Sequence, residues 1–305
     1  MPAMTKTPIP RKRRKHTAFQ VSYALCLPAF LLFAGFVVIP AVSSIYYSLT
    51  SWDGISKSME FVGLRNYRDL VADARFLNAL KNTLTITIAL TILQNVLALL
   101  LALLVERVKV GKTLFRSAFY LPVLLSGIIT GYVWVALLNY TFGVVNMFFK
   151  AVGLDSFAID WLGNPDFAIW TVVAVLVWKG AGYYMIIYMA GLSGIPNELM
   201  EASSIDGASA PRQFASITFP LLAGTFTINL TLSLINGLRV FDQIVAMTSG
   251  GPGFATETFT YQIYSVAFAE GRQGYGTALA IVLFLVTLVF AGLQNAALRK
   301  REVQA

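Results

Sequence analysis

The chain has 305 residues, 57% of them hydrophobic and 12% charged, with a formal net charge of +8 and a mean hydropathy of +0.68. A water-soluble globule has no use for that apolar surplus, so the composition excludes one and points to an integral membrane protein. The basic balance does not indicate nucleic acid, because it sits in tails and loops beside apolar runs, where it sets orientation.

Residues 1–22 form a basic tail with Lys6 and then Arg11, Lys12, Arg13, Arg14 and Lys15. The run that follows, Tyr23–Leu49, is too long for a signal peptide and lacks its cleavage pattern. It reads as a first span with the tail in the cytoplasm, where the basic cluster touches anionic membrane lipid. Cys26, the one cysteine, lies in this run and reads as a small buried hydrophobe. An outside segment over 50–81 leads to span 2, Thr83–Val105. A short basic loop, Glu106–Arg116, leads to span 3, Ser117–Leu138. An aromatic and acidic outside segment over 139–167 precedes span 4, Ala168–Leu192, with Trp161 and Trp170 placed for an interfacial belt.

After a polar interval, span 5 is expected over Ile217–Met247. The turn Thr248–Gly253 cannot propagate a helix, and Thr256–Tyr275 reads as amphipathic, with Tyr261, Tyr264 and Phe268 at helical spacing. Span 6, Gly276–Leu298, ends at the basic run Arg299-Lys300-Arg301. The expectation is an all-α membrane protein: a six-helix domain over 23–298 between short tails (1–22 and 299–305), with both termini cytoplasmic. Of the 23 Lys and Arg residues, 14 then lie in inside segments and 7 in outside ones, a bias that rests mainly on the N-terminal tail.

The polar interval, 194–221, carries the sharpest pattern. Pro196 suits the first turn of a helix, and Glu198 and Glu201 follow one turn apart near its positive end. Asp206-Gly207 breaks that helix, glycine being the cheapest left-handed cap. Ser209 is placed to cap a second helix, with Pro211 in its first turn. The order Glu201-Ala202, Asp206-Gly207-Ala208, Phe214, Ile217 and Pro220 resembles the EAA loop of binding-protein-dependent ABC importer permeases. Ser203 stands where the family has a second Ala, and Phe219 where it has Leu.

Phe61–Tyr67, Phe76–Leu80 and Asn82-Thr83 also resemble sugar-type permeases of the maltose and glycerol-3-phosphate group. The basic tail and Gly250-Gly251-Pro252 resemble the first of two non-identical permeases. The resemblance implies a type I importer permease fold in a bacterial or archaeal cytoplasmic (inner) membrane. It also implies three partners: a second EAA-bearing permease forming a heterodimer, a cytoplasmic ATPase dimer and an extracytoplasmic solute-binding protein. Within the loop it assigns ATPase coupling to Glu201, Ala202, Ser203, Asp206, Gly207, Ala208, Phe214 and Pro220.

The chain has no phosphate-binding Gly-x-x-x-x-Gly-Lys loop, and one His with one Cys makes no metal cluster. It is therefore expected to be no enzyme, with ATP and Mg held by the partner ATPase and no cofactor of its own. Polar residues inside the spans are the candidates for a solute path. Lys179, mid-span, either lines that path or snorkels or pairs structurally. Arg239 and Asp242 read as a local ion pair one turn apart. Asn229, Asn236 and Gln243, at heptad spacing, bind sugar hydroxyls or bond between helices. Tyr183 and Tyr184 stack on a pyranose ring or pack. A gradient-driven secondary transporter is the rival class; it needs ionisable relays in several spans, and Lys179 is the main candidate.

Overall fold

The computed structural model describes residues 26–299. The basic tail, the start of span 1 and the closing basic residues from 300 lie outside them. Among the described residues the regular elements are helical, save one antiparallel bridge between Thr50 and Phe61. Four helices are long and apolar enough to cross a membrane, or up to six if each of two bent pairs is one span.

The first is α1, Cys26–Tyr47, with a π turn at Ala34–Val38. Its apolar side chains are exposed on this chain. Cys26 is exposed as well, which corrects the buried-thiol expectation: an outward-facing helix has no core to offer it. A short α2, Arg65–Ala72, precedes α3, Ala74–Arg107. Asp73 caps α3 by accepting from the Arg75 N–H at 2.9 Å. At 34 residues α3 is about 50 Å long, so it starts well before Thr83 and stands proud of the hydrocarbon.

Expected span 3 is broken. Helix α4, Lys112–Leu124, and helix α5, Gly127–Leu137, meet at 96°. Pro122 withholds an N–H from the last turn of α4, Leu125 is extended, and Ser126 starts the next helix. Helix α6, Val144–Ala151, lies in the connection to α7, Pro165–Ser193, which Asn164 caps. The indole of Trp161 donates to Asn146 Oδ1 at 2.7 Å, so Trp161 pins this connection, whereas Trp170 is exposed.

Helix α8, Asn197–Ile205, and helix α9, Ala210–Leu221, follow. Expected span 5 is also broken. Helix α9 meets α10, Ala223–Leu238, at 69°, and α10 stops before α11, Asp242–Met247. Helix α12, Phe259–Tyr264, continues as a π turn over Ser265–Ala269, with the rings of Tyr261, Tyr264 and Phe268 in tilted contact along it as their spacing predicts. Helix α13, Gln273–Arg299, closes the described chain and packs along α1.

The core is α3 against α7 and α10. Ile86 and Leu90 of α3 pack on Val172, Val173 and Leu176 of α7, and Ala98, Ala102 and Val105 on Tyr184, Met185, Tyr188 and Met189. Small residues permit the close approach. A Cβ on Gly237 would sit 2.8 Å from the Thr87 Cα, and one on Gly182 2.0 Å from the Phe119 carbonyl oxygen of α4. Polar groups then cross-link the helices. Asn95 donates to the Ser233 hydroxyl at 2.9 Å and accepts from the Tyr188 hydroxyl at 2.8 Å. Each such bond contributes about 0.6 kcal/mol within a bilayer.

The connections gather at two ends. At one, Gly274 N–H donates to the Trp52 carbonyl at 2.8 Å, and Arg75 grips the fully buried Glu257 carboxylate at 2.7 Å and Glu270 at 2.5 Å. Asn82 donates to the carbonyls of Phe254 and Glu257, both at 3.1 Å. The α4 entry, the 194–221 interval and the end of α13 lie at the other.

Candidate functional site

Two regions carry the sequence-predicted residues. The first is the interval between α7 and α10. Helix α8 starts one residue later than expected, with Pro196 as its N-cap; a fixed φ suits that position as well as the first turn. Gly207 stands at φ +76°, and a Cβ there would meet nothing within 4 Å. The Ala208 N–H donates to the Ser203 carbonyl at 2.9 Å and the Gly207 N–H to that of Ser204 at 3.1 Å. This pair of bonds is a Schellman closure, which satisfies carbonyls that a helix end leaves bare.

Ser209 occupies the N-cap of α9 without a side-chain cap bond, which corrects the capping role expected of its hydroxyl. The Gln213 amide instead donates to the Ser204 hydroxyl at 2.9 Å, staples α9 to α8 and fixes the bend. Ser203 is buried and its hydroxyl bonds the Met200 carbonyl at 2.8 Å, so a small polar residue fits where the pattern departs from Ala. Glu201, Ala202, Asp206 and Gly207 are exposed, and Ile205 is 87% exposed. The result is a rigid knob with an apolar tip and acidic flanks. Phe214, Phe219 and Pro220 turn away from it and line an apolar hollow against α3 and α10.

The second region is a cavity of about 420 Å³ among α3, α4, α7 and the break between α10 and α11. Lys179, Tyr183, Tyr184, Asn236 and Gln243 all line it, so five of the six residues expected on a solute path converge. Asn229 does not. It is fully buried against α7, where its amide donates to the Tyr184 carbonyl at 3.2 Å, and it serves as interhelical glue. Asn236 donates to the Tyr184 hydroxyl at 3.0 Å, which fixes that phenol at the cavity wall.

The expected ion pair of Arg239 with Asp242 is absent among the described residues. Arg239 is the C-cap that follows α10 and Asp242 starts α11, so no helix turn brings them together. Both line the cavity instead, and Asp242 packs against Gly127, where a Cβ would stand 2.4 Å from its Oδ2. Gln94 also lines the cavity, its amide donating to the Leu176 carbonyl at 2.8 Å. The sequence patterns had not singled out Gln94, although a glutamine inside the apolar run Leu90–Leu101 was a visible signal. The wall thus combines two cations, one carboxylate, amides and aromatic faces, a set able to hydrogen-bond and stack on a polyhydroxylated ring.

Comparison with known proteins agrees with this architecture. Residues 94–303 match the family model described as binding-protein-dependent transport system inner membrane component. The chain is 38% identical over 272 residues to the probable starch degradation products transport system permease protein AmyD of Thermoanaerobacterium thermosulfurigenes, covering 88% of this chain and 90% of that one. It is 33% identical over 268 residues to the multiple sugar-binding transport system permease protein MsmF of Streptococcus mutans, covering 88% and 91%. A chain in the crystal structure of a bacterial alginate ABC transporter, in complex with an alginate pentasaccharide-bound periplasmic protein, superposes with a TM-score of 0.83 at 25% identity. That match covers 95% of this chain and 98% of the other. With the helical core, the capped loop and a family match over more than half its length, the chain belongs to the inner-membrane components of binding-protein-dependent transport systems.

Proposed function

We propose that the chain is one permease of an ATP-driven sugar importer in a bacterial or archaeal cytoplasmic membrane. It pairs with a second permease, carries a cytoplasmic ATPase dimer on its 194–221 loop, and receives solute from an extracytoplasmic binding protein. ATP and Mg belong to the ATPase, and no cofactor or metal is assigned to this chain. In this reading the two bent pairs each count as one span, so six spans cross the membrane with both termini inside. The 1–22 and 299–305 tails flank the domain.

The observation that carries the reading is the physical link between knob and cavity. Exposed α8 is bent onto α9 by the Gly207 closure, and α9 runs into α10. Helix α10 has 16 residues, about 24 Å, and its far end presents Asn236 and Arg239 to the cavity. A rigid displacement of α8 and α9 by the ATPase therefore reaches the cavity wall through one helix. Glu201 faces the ATPase groove, and Ala202 and Ser203 keep α8 slim enough to enter it. Phe214 and Pro220 hold the α9 exit. At the cavity, Tyr183 and Tyr184 offer ring faces, and Lys179, Asn236 and Gln243 offer hydrogen bonds. Among the described residues the cavity wall holds one carboxylate, Asp242, which gives a gradient-driven carrier little to relay protons through.

The test is purification of the tagged chain in mild detergent, followed by reconstitution. Recovery of a second permease and an ATPase, with ATP hydrolysis that rises on addition of sugar-loaded binding protein, supports the reading. A chain that purifies without either partner and still transports in liposomes refutes it.

A further inference from the structure

A second cavity, of about 480 Å³, lies at the end of the molecule opposite the 194–221 loop. It is walled by the end of α5, the 139–163 connection and the turn after α11. The two cavities sit at opposite ends of α11: the central one meets Asp242 and Gln243, the second meets Met247 and Thr248. Six residues of helix separate them by about 9 Å. Across that gap α5 and α11 are in close contact. A Cβ on Gly131 would stand 2.4 Å from that of Ala246, much as Gly127 admits Asp242. The α5–α11 contact is thus a partition between two chambers in line.

The second chamber holds polar groups that the fold leaves unused. Asn139 Oδ1 accepts from the N–H groups of Thr141 and Phe142, at 2.9 and 3.1 Å, and Asp160 Oδ1 accepts from that of Gly163 at 2.8 Å. Among the described residues no hydrogen bond employs the Asn139 amide nitrogen, the Asp160 Oδ2 or the Tyr140 hydroxyl. All three residues line the chamber, and Tyr140 is exposed. Lys150 lies 5.9 Å from the Tyr140 ring centroid and does not line the chamber. An anchored carboxylate, an anchored amide and an open aromatic face match a neutral sugar ring, whose adjacent hydroxyls donate to one and accept from the other. A uronate would bring its own carboxylate against Asp160.

We propose that this chamber is an outer subsite for neutral carbohydrate, occupied before the solute crosses the α5–α11 partition. The proposal rests on the importer reading and on the outward placement of this end.

The test uses the assembled transporter in nanodiscs, with Cys26→Ser to remove this chain's own thiol and Thr141→Cys as reporter, a lining residue whose side chain makes none of the bonds named above. A bulky maleimide reads access, and maltotriose or trigalacturonate is added directly. At about ten times its dissociation constant a ligand leaves about a tenth of sites free, so maltotriose is expected to slow labelling about tenfold while trigalacturonate does not. Asp160→Asn keeps the Gly163 bond and removes the charge; in that background trigalacturonate is expected to protect as well. Labelling that neither sugar slows, or that only trigalacturonate slows, overturns the subsite even though the ATPase co-purifies. Reporter labelling only from the cytoplasmic side in sealed vesicles, or the absence of an ATPase partner, overturns the importer reading and the subsite with it.

Discussion

Gly207 is a position where a single torsion carries the bend of the 194–221 loop. It stands at φ +76°, and a Cβ added there would have no atom within 4 Å, so a side chain has room and its cost is torsional alone. For an ordinary residue that cost is about 1–2 kcal/mol. It is smaller for Asn, whose amide bonds locally in the left-handed region, and larger for a β-branched residue. A difference of about 1.4 kcal/mol is tenfold in an equilibrium. Gly207→Ala is therefore expected to shift the loop away from its bent form by about 5- to 30-fold, Gly207→Val by more and Gly207→Asn by least. The assay is binding-protein-stimulated ATP hydrolysis of the reconstituted complex, beside a blot of inserted protein. Activity is expected to fall in the order Gly, Asn, Ala, Val with insertion unchanged. Gly207→Asp has nearly the torsion of Asn but adds a carboxylate beside Asp206, and it is expected to abolish uptake through charge. An Asn variant as defective as Val, or a Val variant as active as the parent, refutes the torsional account.

Glu201→Lys reverses an exposed charge on α8 and is expected to abolish uptake while leaving the melting temperature in detergent unchanged; a shifted melting temperature would assign Glu201 to folding. Arg75→Met strands the fully buried Glu257 and is expected to cost about 3–5 kcal/mol, read as a lowered melting temperature that Arg75→Met with Glu257→Gln largely restores. Gly182→Leu drives a side chain into the Phe119 carbonyl, 2.0 Å from its Cβ, and is expected to prevent recovery of folded protein, whereas Gly292→Leu, with nothing within 4 Å, is neutral. Asp53 sits in an exposed turn where bonds from the Ser56 hydroxyl and the Ile55 and Ser56 N–H groups hold its carboxyl down at about 2, against 3.8 ordinarily. A depressed carboxyl stabilises above its unfolded value and loses that contribution as pH falls through its folded one, so the turn is expected to open between about pH 4 and pH 2. Trp52 donates to the Ser56 carbonyl at 3.0 Å and reports the opening by fluorescence, a change that Asp53→Asn removes.

The 194–221 loop was legible because its signals are local. Glycine at a left-handed cap, proline at a helix start and small residues on one face are set by neighbours in sequence, and the Gly207 closure follows them. The misplaced capping role of Ser209 shows the limit: whether a hydroxyl bonds its own helix or yields to Gln213 depends on a partner in another helix. Cys26 shows the same limit for burial, since an apolar run does not say which of its faces meets protein. Lys179 and Gln243 were found because polarity inside an apolar run is conspicuous in sequence, yet Asn229 carries the same signal and turned to glue. Nothing in its spacing from Asn236 distinguishes the carbonyl of Tyr184 from the cavity.

The breaks in spans 3 and 5 were invisible to hydropathy for a related reason. Composition across Ile217–Met247 stays apolar, and composition is blind to backbone direction. In lipid a broken helix is tolerated only where its freed groups are bonded or line a cavity, and both conditions come from distant residues. The Val240 carbonyl accepts from the Thr258 hydroxyl at 3.0 Å, and the Leu238 carbonyl from Thr260 at 3.5 Å. Arg239, Val240 and Phe241 line the central cavity. Break and cavity are therefore one feature. Ending α10 at Leu238 keeps Arg239 and Asp242 from closing on each other and leaves both facing the chamber. The start of α12, clamped to α3 through Arg75 and the neighbouring Glu257, holds the threonines that satisfy the carbonyls freed by the break. A substitution that loosened that clamp would act on the cavity wall from the far end of the fold, through the same carbonyls.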